Sequence, residues 1–203
     1  MEKFIPEIRI GSVHHDPFTG PEIERCFPTT ESQREVITSS EMGDDASCAY
    51  NESITLELNG DLDRSLMQTV LHQLVMRHDS LRATVTSNGM QMIVGKEDPT
   101  SFEFVDLASL GTEEQQRKLK AIDDADMTRT FDLHKGPLFR HLLIRTAADK
   151  HLLRLSAHHA VCDGWSLGIM MAEISALYNA GKSGTTANLP EAPSFGDYSV
   201  AAA

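Results

Sequence analysis

Residues 156–168 read SAHHAVCDGWSLG, which sets two histidines, a cysteine, an aspartate and two glycines between a run of leucines and a pair of methionines. Several chemistries use such residues. An imidazole can carry a proton near neutral pH. Histidine with cysteine or carboxylate can hold a metal ion. A thiolate beside a histidine can act as a nucleophile. The same stretch can also be an ordinary strand-to-helix junction. If a strand runs through His158 and His159, their side chains point to opposite faces, so one can turn inward and the other into a cleft. Such divergence opposes a metal centre, and no further cysteine or histidine has suitable spacing, so no metal is expected. Asp163 beside Cys162 disfavours a thiolate, which leaves Cys162 as a small buried hydrophobe. Asp163 and Gly164 fall in the turn, where glycine can take a backbone conformation denied to other residues. Asp163 or Ser166 can cap the next helix, and Trp165 in its first turn reads as a packing anchor. From the residues alone, catalysis by a histidine and a plain junction both remain open.

The elements that would position this stretch alternate between strand and helix patterns. Residues 1–27, with Pro6, Gly11, Pro17, Gly20 and Pro21, read as mostly loop or leader, and the His14–His15 pair within them as incidental. A short helix is expected from Thr30 to Glu41, and a loop from Gly43 to Asn51. SITLELN alternates, with Ile54, Leu56 and Leu58 on one face of a half-buried strand. Asp63 can cap a helix whose apolar stripe is Leu66, Val70, Leu71 and Leu74, with Leu62 and Met67 as a hydrophobic staple. Leu81–Thr86 and Met90–Val94 form a hairpin through Asn88–Gly89. Phe102–Val105 is a short strand. Thr112 and Gln115 read as a capping box for a polar helix reaching about Met127, its Glu113, Glu114, Asp123 and Asp124 facing solvent. LFRHLLIRT and HLLRLSA make a second hairpin across Ala147–Lys150. Leu167, Met170, Ile174 and Leu177 recur at helical spacing up to Asn179–Gly181, and GKSGTTANLPEAP is a loop. His78, His134, His141 and His151 read as surface or framework.

Bulk properties exclude other classes. The 203 residues suit one domain or a large part of one. Acidic residues outnumber basic ones 30 to 18, for a net charge of −12, and no basic cluster interrupts them. Nucleic acid and anionic membrane are therefore poor partners. Neither a membrane span nor the apolar core of a signal peptide is evident. Three scattered cysteines give no disulfide framework, which favours a reducing, cytoplasmic setting.

At HHAVCDG the sequence resembles the HHxxxDG signature of nonribosomal peptide synthetase condensation domains. VMRHDSLRATV at 75–85 is similar to the family's RHExLRTxF segment, with Arg77, His78, Leu81 and Arg82 in place and Asp79 where Glu is usual. TESQREVI at 30–37 resembles its (S/T)xAQxxxW element, keeping Gln33 but with Ser32 for Ala and Ile37 for Trp. FDLHKGPLFRHLLIR at 131–145 is similar to FDLxxGPLxRxxL, and SFGDYSV at 194–200 to the opening of YxDFAVW. The resemblance implies an α+β two-layer sandwich: a chloramphenicol acetyltransferase-like half-domain with a mixed sheet and packed helices. It implies a leader over residues 1–27, an N-terminal condensation subdomain over 28–182, and over 183–203 a linker entering a missing C-terminal subdomain. The implied reaction joins an acyl or peptidyl thioester on a donor carrier domain to the amine of an aminoacyl group on an acceptor carrier domain. No cofactor would be bound by this chain, since the phosphopantetheine arms belong to the carriers. His159 would be the catalytic group and His158 its inward-packed support. Asp163 would be structural, paired with Arg77, and Gly164, Arg82, Trp165 and Ser166 would frame the site. Alone, the chain would be inactive. An epimerisation domain half, another HxxxD acyltransferase and a non-catalytic carrier-docking module remain alternatives. Heterocyclisation domains are disfavoured, because they carry Asp where His158 and His159 stand.

Overall fold

The structure is a computed structural model that describes residues 21–202. The His14–His15 pair and most of the expected leader lie outside the described residues. Two sheets organise the chain. The larger has the order β2–β7–β6–β5, from β2 (Asn51–Asn59), β5 (Glu103–Asp106), β6 (Phe139–Ala147) and β7 (Lys150–His158). β5 runs parallel to β6 and the other pairs are antiparallel, so the sheet is mixed. The smaller sheet is antiparallel, ordered β1–β4–β3, from β1 (Ile23–Pro28), β3 (Ala83–Val85) and β4 (Gln91–Gly95).

Helices α3 (Arg64–Arg77) and α5 (Gly164–Lys182) form a layer against the larger sheet. The reason is in the spacing. Val70, Leu71 and Leu74 of α3 and Leu167, Met170 and Ile174 of α5 recur on one face of each helix. They close on Phe139, Leu143, Leu153 and Leu155, which alternate along β6 and β7. Asp63 caps α3 by accepting the Leu66 N–H at 3.0 Å, as its position before the apolar stripe implies. The helices approach closely at Gly181, where an added Cβ would lie 2.5 Å from the Leu66 side chain. The hairpin between β3 and β4 turns at Gly89, whose φ of 70° favours glycine. The α+β class, the mixed sheet, both hairpins and the main helices agree with the sequence reading.

Four local expectations are corrected. The stretch read as loop or leader up to residue 27 ends in a strand: β1 pairs with β4, and Arg82 donates to Glu24 beside it at 2.7 Å. β1 also carries α6 (Phe195–Ala202), whose Phe195 ring packs on Phe27 and whose Ser199 hydroxyl donates to the Pro28 carbonyl. Between Gly43 and Asn51 lies a short helix, α2 (Asp44–Cys48), rather than a loop. The strand expected from Leu81 opens with a 3₁₀ turn at Asp79–Arg82. Thr112 does not cap α4 (Thr112–Met127): its N-cap is Gly111, and Gln115 reaches instead to the Leu107 and Thr146 carbonyls.

α4 buries no side chain fully, so ordinary apolar packing does not fix it. Asp126 near its end does. This carboxylate accepts from Arg140 at 2.8 Å, Arg154 at 2.7 Å and Ser156 at 2.7 Å, all projecting from the larger sheet. Burial alone would raise the Asp126 carboxyl, but its hydrogen bonds from Ser156, Arg154 and Arg140 hold it below the usual range. Asp123, read as part of a solvated face, joins the group through Arg154. No helix among the described residues is long and apolar enough to cross a membrane. Asp126→Ala should cost about 2–3 kcal/mol of unfolding free energy in urea, between the values for exposed and buried pairs, since Arg140 and Arg154 would lose their shared acceptor. The loss should be full at neutral pH and shrink as acidification passes the depressed carboxyl value. An unchanged urea midpoint would show that α4 is held by something else.

Candidate functional site

β7 delivers two histidines to its end with opposite fates. His158 is wholly buried, and both its ring nitrogens are used. The Ala160 N–H donates to Nδ1 at 3.1 Å, so Nε2 carries the proton and faces Ser40 Oγ at 3.0 Å. Ser40 in turn donates to the Val36 carbonyl at 2.7 Å, within α1 (Glu31–Ser40). Burial, reinforced by the neighbouring His159, lowers the His158 pKa to about 4, so the ring is neutral. Phe131 meets the ring edge-on at 6.1 Å. His158 is thus a brace between β7, α1 and the loop beyond.

Strand alternation puts His159 on the face opposite His158, in phase with Leu153, Leu155 and Ala157, and just past the end of β7 it stands exposed at the edge of that face. The His159 N–H donates to the Tyr50 carbonyl at 2.9 Å, which extends the β2–β7 pairing by one step. Its side chain is 38% exposed and its Nδ1 lies 3.4 Å from Glu52 Oε1. The next loop is also tied down. Gln33 Nε2 donates to the Ala160 carbonyl at 2.8 Å, and a reciprocal capping box between Thr30 and Gln33 fixes the start of α1 that supplies it. Cys162 is buried and its thiol is pushed up to about 12, first by burial and then by the Asp163 and Glu52 carboxylates, so it is not a nucleophile.

Asp163 caps α5. Its Oδ1 accepts the Ser166 N–H at 2.8 Å and the Ser166 hydroxyl at 2.7 Å, and these bonds, the hydroxyl first, hold the carboxyl below its usual range. The expected pairing with Arg77 is wrong. Arg77 instead donates to Glu173 at 3.1 Å and to the Pro190 carbonyl. The cap satisfies the carboxylate locally, and Asp163 is exposed, so no distant guanidinium is needed. Gly164 also departs from expectation. It is not among the glycines with positive φ, and an added Cβ would meet nothing within 4 Å. Trp165 is 81% exposed, so it is not a packing anchor. α5 turns it away from the core that Leu167 and Met170 enter.

The RHDSLR segment supports the site from behind. His78 Nε2 lies 2.6 Å from Glu173, which Arg77 also holds. Asp79 accepts from Ser194 at 2.6 Å and so docks the start of α6. Arg82 is buried and spans the Val75, Met76 and Gly95 carbonyls as well as Glu24, a framework role. A groove of about 340 Å³ opens at His159, with Ser32, Gln33, Asp163 and Ser166 among its walls. A second groove of about 420 Å³ shares Ser80, Val161, Ser166, Phe195 and Tyr198 with it, so the two are continuous. Ser40, Glu52 and Glu173 escaped the sequence reading. They lie 118, 107 and 95 positions from the histidine each serves or adjoins, His158, His159 and His78 in turn, and no local pattern links them. Glu173 sat inside an otherwise apolar helix, which was the one available signal.

The condensation-domain family matches residues 23–203. Chondramide synthase cmdD of Chondromyces crocatus is 32% identical over 192 residues, 93% of this chain and 5% of that protein. Bacitracin synthase 1 of Bacillus licheniformis is 30% identical over 187 residues, 90% of this chain and 4% of that protein. The starter condensation domain of rhizomide synthetase RzmA has a TM-score of 0.78 at 21% identity, covering 87% of this chain and 44% of that one. A mutant of the same domain, solved in complex with C8-CoA and Leu-SNAC, has a TM-score of 0.79 at 21% identity, covering 87% of this chain and 40% of that one. The chain therefore spans under half of these solved chains and about a twentieth of the synthetases.

As a cap, Asp163 is worth less than a member of a buried ion pair. Asp163→Ala should cost about 1 kcal/mol and Asp163→Asn little, since asparagine caps equally well. In the same denaturation series Gly164→Ala should be neutral or stabilising by about 0.4–1 kcal/mol. A loss above about 3 kcal/mol for Asp163→Ala would restore a buried ion-pair partner for this carboxylate.

Proposed function

The chain belongs to the condensation-domain family, and on that basis we propose that it supplies the His159 side of a site that forms amide bonds by acyl transfer. The observation that carries this reading is the division of labour at 158–159. One imidazole is locked neutral inside, and the next is turned into a groove that continues along α5. The RzmA complex supports the substrate classes, because that domain was solved with C8-CoA and Leu-SNAC.

In the proposed reaction the amine nitrogen of the acceptor attacks the carbonyl carbon of the donor thioester. The C–N bond forms, the amine proton passes to His159 Nε2, the C–S bond breaks, and the thiolate leaves with that proton. Nothing is oxidised or reduced. The pKa of a free α-amine is about 7.7–8 and that of imidazole about 6.5, so this proton exchange is thermodynamically small. In this reading the donor acyl group and the acceptor aminoacyl group ride on the phosphopantetheine arms of two carrier domains, and the contiguous grooves are where such arms would lie. Residues outside this chain would supply the opposite wall. The 40–44% coverage of solved condensation-domain chains and the outward aspect of His159 support that division. Closing the second wall would hold amine and thioester in a near-attack geometry, which can account for about 7–11 kcal/mol of a barrier.

Mass analysis of the product on a loaded acceptor carrier separates amide formation from epimerisation and from carrier docking alone. His159→Ala in a complete condensation domain containing these residues should slow dipeptide formation about 10²–10⁴-fold while carrier binding persists. The 203-residue chain given both loaded carriers without the opposite wall should form no dipeptide above background. Parental rates from either protein would contradict the assignment.

A further inference from the structure

His159 has a neighbour on the side away from the groove. β2 and β7 pair with Glu52 opposite Ala157, and the Tyr50 carbonyl accepts from the His159 N–H. Because side chains alternate along a strand, Glu52, Ala157 and His159 share one face, with Glu52 diagonal to His159. Glu52 Oε1 lies 3.4 Å from His159 Nδ1, and each side chain is 38% exposed. Glu52 does not line the groove that His159, Cys162 and Asp163 line, so the carboxylate stands behind the imidazole. Among the described residues Glu52 makes no other ion pair, and the Asp163 carboxylate is engaged twice by Ser166.

We propose that Glu52 is a positioning residue for His159, accepting its Nδ1–H and so fixing the tautomer in which Nε2 is bare and available to the groove. A neutral imidazole has one protonated and one bare nitrogen, and only the bare one can take a proton. If Nε2 held the proton, His159 could not accept the one released by an attacking amine. A carboxylate at Nδ1 removes that wrong tautomer and favours the imidazolium that forms as the proton arrives. The 3.4 Å separation is an ion-pair distance, longer than a standard hydrogen bond, so the proposal requires the two partly exposed side chains to approach by a few tenths of an ångström. The tautomer assignment rests on geometry alone. Its kinetic consequence rests on the acyl-transfer role proposed for His159.

The test reads both parts. The 203-residue chain is labelled with ¹⁵N-histidine, the His159 signals are assigned by their absence in His159→Ala, and its tautomer is read at a pH where titration shows the ring neutral. Nδ1–H should dominate in the parent and yield to Nε2–H in Glu52→Ala. Glu57→Gln, which removes the same charge from the other face of β2, should match the parent. An identical His159 tautomer in parent and Glu52→Ala overturns the proposal. In a complete condensation domain containing these residues, Glu52→Ala should lower the single-turnover rate about tenfold, the worth of one partly exposed charge-assisted contact. KM for the acceptor carrier should stay within about twofold, and Glu52→Gln, a weaker acceptor, should fall between. A tautomer that shifts while the rate holds, in a domain that His159→Ala does slow, overturns the kinetic half. A tautomer that shifts in a domain indifferent to His159→Ala leaves Glu52 in place and defeats the acyl-transfer reading instead.

Discussion

The site depends on one buried imidazole. His158 sits at the end of β7 with no solvent exposure, and a polar ring there is tolerable only because both nitrogens have partners. Those partners, the Ala160 N–H and Ser40 Oγ, come from the loop that follows and from a helix far earlier in the chain. The same contacts therefore fix the ring, close the loop and place α1 against the strand end. Strand geometry then leaves His159 no choice of side. Leu153, Leu155 and Ala157 share the face of His159, so a slip of one residue would exchange the faces of the two histidines and also turn those three residues away from α3 and α5. The apolar pattern of β7 and the histidine pair enforce the same register.

Around this brace the remaining polar segments share a design. Gln33 holds the Ala160 carbonyl, and the Leu138 carbonyl receives the His158 N–H at 2.9 Å. Asp79 docks α6, while Arg77 and His78 converge on Glu173 of α5. Each segment that resembles a family motif thus supplies a contact between elements distant in sequence, while His159 stands in the groove that Ser32, Gln33, Asp163 and Ser166 also line. The framework is paired and enclosed, and the imidazole proposed for proton transfer, His159, is partly solvated. Glu52 extends the same economy by using the edge strand β2 to control what β7 presents.

The sequence revealed most where one element decides the outcome. Alternation in SITLELN and the spacing of Val70, Leu71 and Leu74 have a single physical meaning, so the larger sheet, α3 and α5 could be read directly. Asn88–Gly89 marked its hairpin for the same reason. The reading lost power where a choice between local and distant partners had to be made. Asp163 was assigned to Arg77 because a carboxylate–guanidinium fork is strong, but Ser166, three residues on, offered two bonds at no cost in chain closure. Thr112 looked like a cap, yet Gln115 found carbonyls on other elements. β1 was missed because the prolines and glycines before it, Pro17, Gly20 and Pro21 nearest, read as loop, and it is held by pairing with β4 and by α6, which lies some 170 positions later. Trp165 was misread because helical phase, not hydrophobicity, decides which side of α5 it occupies.

The state of His158 decides whether the brace exists, and ¹⁵N NMR of the chain across a pH series reads that state directly. Its histidines can be assigned by single substitutions and followed while circular dichroism reports that the chain remains folded. His158 should stay neutral, with the proton on Nε2, until the pH approaches about 4, because burial opposes its charge. Linkage gives the sign: a histidine depressed in the folded state contributes stability above its ordinary value of about 6.5 and loses it as the pH falls toward the depressed one. A folded chain whose His158 protonates near 6.5, or carries its proton on Nδ1, would contradict the brace and remove the reason for His159 to face the groove.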